Sequence, residues 1–195
     1  MNRTLTRFAL IALALALLLN ACEAPPPSQK LPEITFAHLP PIKLNVATVE
    51  VVVRYRPPMK APNVEHLFPT PPLKALRTWA ADRVKAVGRS GKAEFVIDVA
   101  SVVEQPLQKK SGFTATFTKQ QEARYDLMIE ASIEVADGLK HDRAVARASR
   151  FFTTREDVTL TQRDRIWFDE TEKLMAEFNA EMQRNAQQFL GAWIR

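Results

Sequence analysis

Ala123-Arg124-Tyr125-Asp126-Leu127-Met128-Ile129-Glu130-Ala131-Ser132-Ile133-Glu134-Val135 is the stretch that decides the fold. Ala123, Tyr125, Leu127, Ile129, Ala131, Ile133 and Val135 fall on one face; Arg124, Asp126, Glu130, Ser132 and Glu134 fall on the other. A side-chain period of two belongs to a strand with one face buried and one face wet. Asp137-Gly138 then signals a turn, so Arg143–Thr153 is predicted to return antiparallel. Upstream, Ala93–Val103 alternates in the same way, with Phe95, Ile97, Val99 and Val103 inward and Glu94, Asp98 and Glu104 outward. Between these strands, 105–121 holds Lys109-Lys110-Ser111-Gly112 and Phe113-Thr114-Ala115-Thr116-Phe117, and reads as a projecting loop with some strand character.

Farther out, Ala47, Val49, Val51, Val53 and Tyr55 alternate against Thr48, Glu50 and Arg54, a first half-buried strand from Leu44. A proline-rich loop follows through Pro72. Thr70 is placed as an N-cap and Pro71 or Pro72 in the first turn of a helix. Leu73, Leu76, Ala80, Val84 and Val87 mark its face, and Gly88 fits the stop. A long closing helix, Thr161–Trp193, is expected to run about 50 Å, with Trp167, Leu174, Phe178, Met182, Phe189 and Trp193 as its apolar stripe. At that length it outruns a sheet of ordinary strands, which leaves Phe189, Leu190, Trp193 and Ile194 as an apolar end for a partner. The order β-α-β-β-β-α predicts an α+β fold: a four-stranded, mainly antiparallel sheet with two helices on one face.

The N-terminal region is read from charge and length. Arg3 and Arg7 precede twelve consecutive apolar residues, Phe8 to Leu19. That is a secretory h-region, since a spanning helix needs about 20 residues. Leu19-Asn20-Ala21-Cys22 resembles a bacterial lipobox, in which cleavage before the cysteine leaves it carrying a diacylglyceryl thioether and an N-acyl chain. The alternative is a plain signal peptide with an incidental cysteine. Lipidation at Cys22 is the expectation, because the only thiol in the chain directly follows the apolar run. Acyl chains contribute about 0.8 kcal/mol per buried CH₂, so several of them hold firmly. Glu23 points to the outer membrane, since Asp at that position favours inner-membrane retention in lipoproteins of enterobacterial type. The expected division is 1–21 signal peptide, 22–42 lipidated cysteine and proline-rich tether, and 43–195 a single α+β domain.

Composition removes several functions. The chain of 195 residues is 46% hydrophobic and 25% charged, which suits a globular domain with a real core. Twelve of its 13 prolines lie between Pro25 and Pro72. Without residues 1–21 the chain has 25 basic and 22 acidic residues, a net +3 that is no footprint for nucleic acid. Catalytic parts are sparse. His38, His66 and His141 fall in expected loops or turns without metal-ligand spacing, so neither metal nor cofactor is expected. Five glycines form no phosphate-binding loop, no G-x-S-x-G elbow is present, and Cys22 is committed to lipid. Enzymatic activity is therefore not expected.

What remains is surface character. Arg143, Arg147 and Arg150 lie on one predicted strand, Arg124 on its neighbour, and Lys109 and Lys110 in the loop. Alternation places Arg143 and Arg147 on one face and Arg150 on the other, unless a bulge intervenes. These residues are the candidate contact for anionic lipid or a partner; the alternative is cross-strand pairing with Glu130 and Glu134.

The lipobox, the proline-bearing tether and the β-α-β-β-β-α order resemble the small envelope lipoproteins of Gram-negative bacteria. The run from Glu122-Ala123-Arg124-Tyr125 to Ala136-Asp137-Gly138 is similar to the central hairpin of the lipopolysaccharide-assembly lipoproteins that plug an outer-membrane translocon barrel. Glu177, Met182 and Gln187-Gln188-Phe189-Leu190 are similar to that family's closing helix. Val53-Arg54-Tyr55 and Ala75-Leu76-Arg77-Thr78-Trp79-Ala80 resemble the auxiliary lipoproteins of ABC-type lipid transport systems. The resemblances imply a periplasm-facing, lipid-anchored protein of the outer membrane. It would be an interaction or assembly subunit whose partner is a barrel or an ABC transport component.

Overall fold

The computed structural model describes residues 31–107 and 121–195. Nine elements lie in these ranges: β1 (Ile42–Leu44), β2 (Thr48–Val53), a 3-10 turn (Glu65–Leu67), α1 (Pro72–Arg83), β3 (Val84–Ala86), β4 (Lys92–Pro106), β5 (Gln121–Asp137), β6 (Lys140–Arg155) and α2 (Leu160–Phe189). The main sheet has the order β2-β4-β5-β6, and β1 and β3 form a second small sheet. β4, β5 and β6 are antiparallel neighbours. β2 runs parallel to β4, because the chain crosses through α1 between them. Helices pack on this α+β sheet as the element order requires.

The alternation of β5 is reproduced residue by residue: Ala123, Tyr125, Leu127, Ile129, Ala131, Ile133 and Val135 are all at most 6% exposed. Across the turn at Gly138 (φ +60°), β6 buries Ala144, Ala146 and Ala148 on the same face. Small residues there let α2 approach closely. Its stripe of Trp167, Phe168, Leu174, Met175, Phe178, Met182 and Ala186 fills the space between helix and sheet. The helix starts on a capping box, with the Thr159 hydroxyl accepting from Gln162 N–H and the Gln162 side chain accepting from Thr159 N–H. Arg83, 1% exposed, points between the helices, where its Nη2 donates to Gln183 at 2.9 Å and burial pushes its pKa down.

Four expectations are corrected. The first helix stops at Arg83, not Val87, and its N-cap position is held by Pro71, not Thr70. β-branched Val84 enters an extended conformation and pairs with Ile42 in a parallel ladder, whose hydrogen bonds replace another helical turn. Gly88 is therefore no helix stop. It sits against the Asn45–Val46 peptide, where an added Cβ would lie 2.5 Å from the Asn45 carbonyl carbon.

The second correction concerns β4. A bulge between Ile97 and Val99 shifts its register, so Ala100 and Val102 are buried in place of Val99 and Val103. The third concerns the tether. Leu31–Arg195 forms one compact unit, so residues 31–42 pack with the rest of it and do not stand off as a spacer. Ile34 and Phe36 alternate between the prolines and are buried, and the Asp82 carboxylate accepts from Phe36 N–H (2.7 Å) and the Thr35 hydroxyl (3.0 Å).

The fourth is the helix end. The 17 residues of β5 reach about 58 Å, longer than the about 45 Å of a 30-residue helix. The helix does not outrun its sheet. Leu190 and Trp193 are buried and Ile194 bridges to Leu44, leaving Phe189 as the exposed member of that group at 51%.

The proline-rich segment has a structural role. Where β2 ends, it covers the outer edge of β4: Val64 N–H donates to Val102 C=O (2.9 Å) and Glu104 N–H to Pro62 C=O (2.8 Å). Glu65, only 2% exposed, fixes it by accepting from Val102 N–H (3.2 Å) and the Tyr55 hydroxyl (2.8 Å).

Candidate functional site

With α1 and α2 on one face, the opposite face of the sheet carries the alternate residues. Its two halves differ. In the half near the β5–β6 turn, charged side chains lie over Val96 and Ser132, both fully buried. Arg143 reaches Glu134 (3.2 Å) and Asp98 (3.6 Å), Arg54 reaches Asp98 (3.4 Å), Arg147 reaches Glu130 (2.8 Å), and Lys92 reaches Glu94 (2.7 Å). Register makes two of these inevitable, since Glu134 lies opposite Arg143 and Glu130 opposite Arg147. Asp98 joins them because it is the extra residue of the β4 bulge.

In the far half the charge thins out. Ser101, Val103, Met128, Ser149 and Phe151 line a groove of about 360 Å³, with Arg124 and Asp126 at its side. Phe151 is 61% exposed and Met128 44%. The Arg124 guanidinium lies 4.0 Å over the Phe151 ring, and its hydrogen bonds to Asp126 push its pKa up. An aromatic ring and a thioether left open beside a paired arginine can receive an apolar side chain without burying an uncompensated charge.

The predicted contact residues separate accordingly. Arg124, Arg143 and Arg147 share the open face, but Arg124 lies opposite Thr153, ten residues along β6 from Arg143, about 34 Å away. Arg150 is on the helix-facing side, where it pairs with Glu170 (3.2 Å) and Glu177. Each described member has a carboxylate partner, so they form a cross-strand ion-pair lattice and no concentrated basic face. Lys109, Lys110 and Cys22 lie outside the described residues.

Sequence reasoning missed Phe151 and Met128. Phe151-Phe152 carried a signal for the first, because adjacent strand residues face opposite ways and one ring of the pair must point outward. Among the described residues no group of three His, Cys, Asp or Glu side chains could hold a metal ion. No described helix is long and apolar enough to cross a membrane.

A second cavity, of about 500 Å³, opens between the end of the sheet and the first turn of α2, beside Glu104, Tyr125, Thr154 and Arg163. The Tyr125 hydroxyl donates to Glu104 at 2.6 Å, as Tyr55 does to Glu65. Burial, then that hydrogen bond, pushes both phenols far above their ordinary value of 10.0. The folded state thus favours the neutral phenol. That stabilisation is complete below pH 10.0 and is lost as pH rises beyond it, where phenols of the unfolded chain ionise. Tyr125→Phe is expected to flatten the decline of the denaturation midpoint between about pH 10 and pH 11.5. An unchanged slope would contradict this coupling.

No family model matches the chain, and no curated protein matches it in sequence.

Proposed function

We propose that this chain is a non-enzymatic envelope lipoprotein, held at the outer membrane through acylated Cys22 and facing the periplasm. In this reading it serves as an interaction or assembly subunit in lipid or lipopolysaccharide transport. The observation that carries the docking role is the far half of the uncovered sheet face, where Phe151 and Met128 stay exposed around the groove. The lipobox supports the anchor and the element order supports the resemblance to envelope lipoproteins.

The anchor is tested by labelling cells with a fatty-acid analogue and fractionating their membranes. The expected result is label on the wild-type chain, recovered with the outer membrane, and neither label nor membrane retention for Cys22→Ser. Recovery of acylated protein with the inner membrane would favour the auxiliary role in an ABC-type system. A wild-type chain without label would contradict the proposal.

A further inference from the structure

β6 is the last strand of its sheet, and among the described residues no strand pairs with its outer edge. The two-residue turn Gly138–Leu139 makes Asp137 and Lys140 the first bonded pair of the hairpin. Even-numbered residues of β6 therefore bond to β5, and the peptide groups of Arg143, Val145, Arg147, Ser149 and Phe151 point outward. The side chain of Asn185 on α2 agrees with this assignment, since it donates to the outward Val145 C=O at 2.6 Å. From Arg147 to Thr153 the outward residues are exposed. The opposite edge of the sheet is treated differently, because the proline-rich segment covers β4 there.

The same residues put their side chains on the open face, so edge and face can be read together. Arg147 holds Glu130 through Nε and Nη2, and Arg143 uses the same two nitrogens for Glu134 and Asp98. Among the described residues that leaves the Nη1 donors of both, on side chains 68% and 48% exposed. Charge along the hairpin is segregated. β6 carries Lys140, Arg143, Arg147, Arg150 and Arg155 against Asp142, whereas β5 carries five carboxylates against Arg124.

We propose that the outer edge of β6 takes an extended acidic strand from a partner protein, which continues the sheet in the manner of β5. Paired antiparallel, the added strand places an apolar side chain opposite Phe151, a carboxylate four residues later opposite Arg147, and another four later opposite Arg143. Backbone hydrogen bonds at Arg147, Ser149 and Phe151 supply the attachment, since Asn185 already holds the Val145 C=O, and the two arginines fix the register. A second copy is the alternative occupant. Self-pairing about Val145 sets Arg143 of each chain against Arg147 of the other, where like charges oppose, and a concentration-dependent dimer without peptide would overturn the acidic partner. The inference deepens the docking role proposed above and rests on it.

The probe is the peptide Thr-Phe-Thr-Val-Thr-Glu-Thr-Val-Thr-Glu-Thr, titrated into the full-length lipidated protein in detergent, with a version carrying Lys for both Glu. The acidic peptide is expected to bind about tenfold more tightly than the Lys version, and to slow amide exchange at Arg147, Ser149 and Phe151. In the Arg143→Glu/Arg147→Glu double variant the preference should reverse, which an unfolded variant cannot imitate. Equal binding of the two peptides, protection outside β6, or retention only by anionic phosphatidylglycerol vesicles would overturn the inference. If residue 151 captures an envelope protein in cells while the acidic peptide fails, the acidic strand alone is refuted and the docking role stands.

Discussion

Trp79→Ala is expected to cost about 3–5 kcal/mol, a large part of the about 5–15 kcal/mol that holds a domain of this size. Trp79 is fully buried, 5.3 Å from the Phe95 ring and 5.3 Å edge-on from Phe178. It joins α1, β4 and α2 in one contact. Its indole Nε1 also donates to Asn179 at 3.0 Å, so truncation leaves both a cavity and an unpaired amide oxygen. Phe151→Ala removes an aromatic ring of comparable size from an exposed site and is expected to change stability by less than about 0.5 kcal/mol. Chemical denaturation of the two variants checks the contrast. Similar losses would mean that the three elements do not share a core at Trp79.

The second large effect is expected at Glu65. Its carboxylate takes one hydrogen bond from Val102 N–H and one from the Tyr55 hydroxyl, in a site only 2% exposed. Glu65→Ala leaves the buried Val102 N–H and the half-buried Tyr55 hydroxyl without an acceptor and is expected to cost about 2–4 kcal/mol. Glu65→Gln keeps one carbonyl oxygen but turns an amide donor toward a donor, so its loss should lie between the wild type and alanine. The consequence is local as well as global. Without its anchor the proline-rich segment no longer covers the β4 edge, and faster amide exchange is expected at Val64 and Glu104. Denaturation and hydrogen exchange together check this. A global loss with those amides still protected would show that the segment is held by other contacts.

Much of the fold was legible because β5 and the long helix carry strong periods. Seven alternating apolar residues and a helical stripe leave little freedom in how they face the core. The misreadings share a cause in tertiary contacts that local pattern does not encode. The β4 bulge at Asp98 inverts the phase of the following residues, and nothing in Phe95-Val96-Ile97-Asp98-Val99-Ala100 marks where an extra residue is inserted. Val84 and Val87 continue a helical face on paper, yet pairing with β1 wins because the ladder satisfies their backbone groups. Ile34 and Phe36 lie in the segment expected to be a tether, yet two apolar side chains suffice to pack it when Asp82 holds the backbone beside them.

The candidate site was legible in part. Alternation alone places Arg143 and Arg147 on the face opposite Arg150, and the hairpin register sets them against Glu134 and Glu130. The apolar groove was not seen, because it draws on three strands and its boundary depends on the bulge. Catalytic residues are named by chemistry and can be sought in a list of side chains. A docking surface is defined by what the fold leaves uncovered, and that emerges only once the helices have taken their face.

The most direct test places a photoreactive amino acid at position 151, on the open face, and another at Lys173, on the exposed side of α2, in cells expressing the full-length chain. Docking through the open face predicts an envelope protein captured from position 151, little capture from position 173, and loss of the position-151 product in the Cys22→Ser background. Capture confined to the helical side, or equal from both positions, would contradict docking through the uncovered sheet.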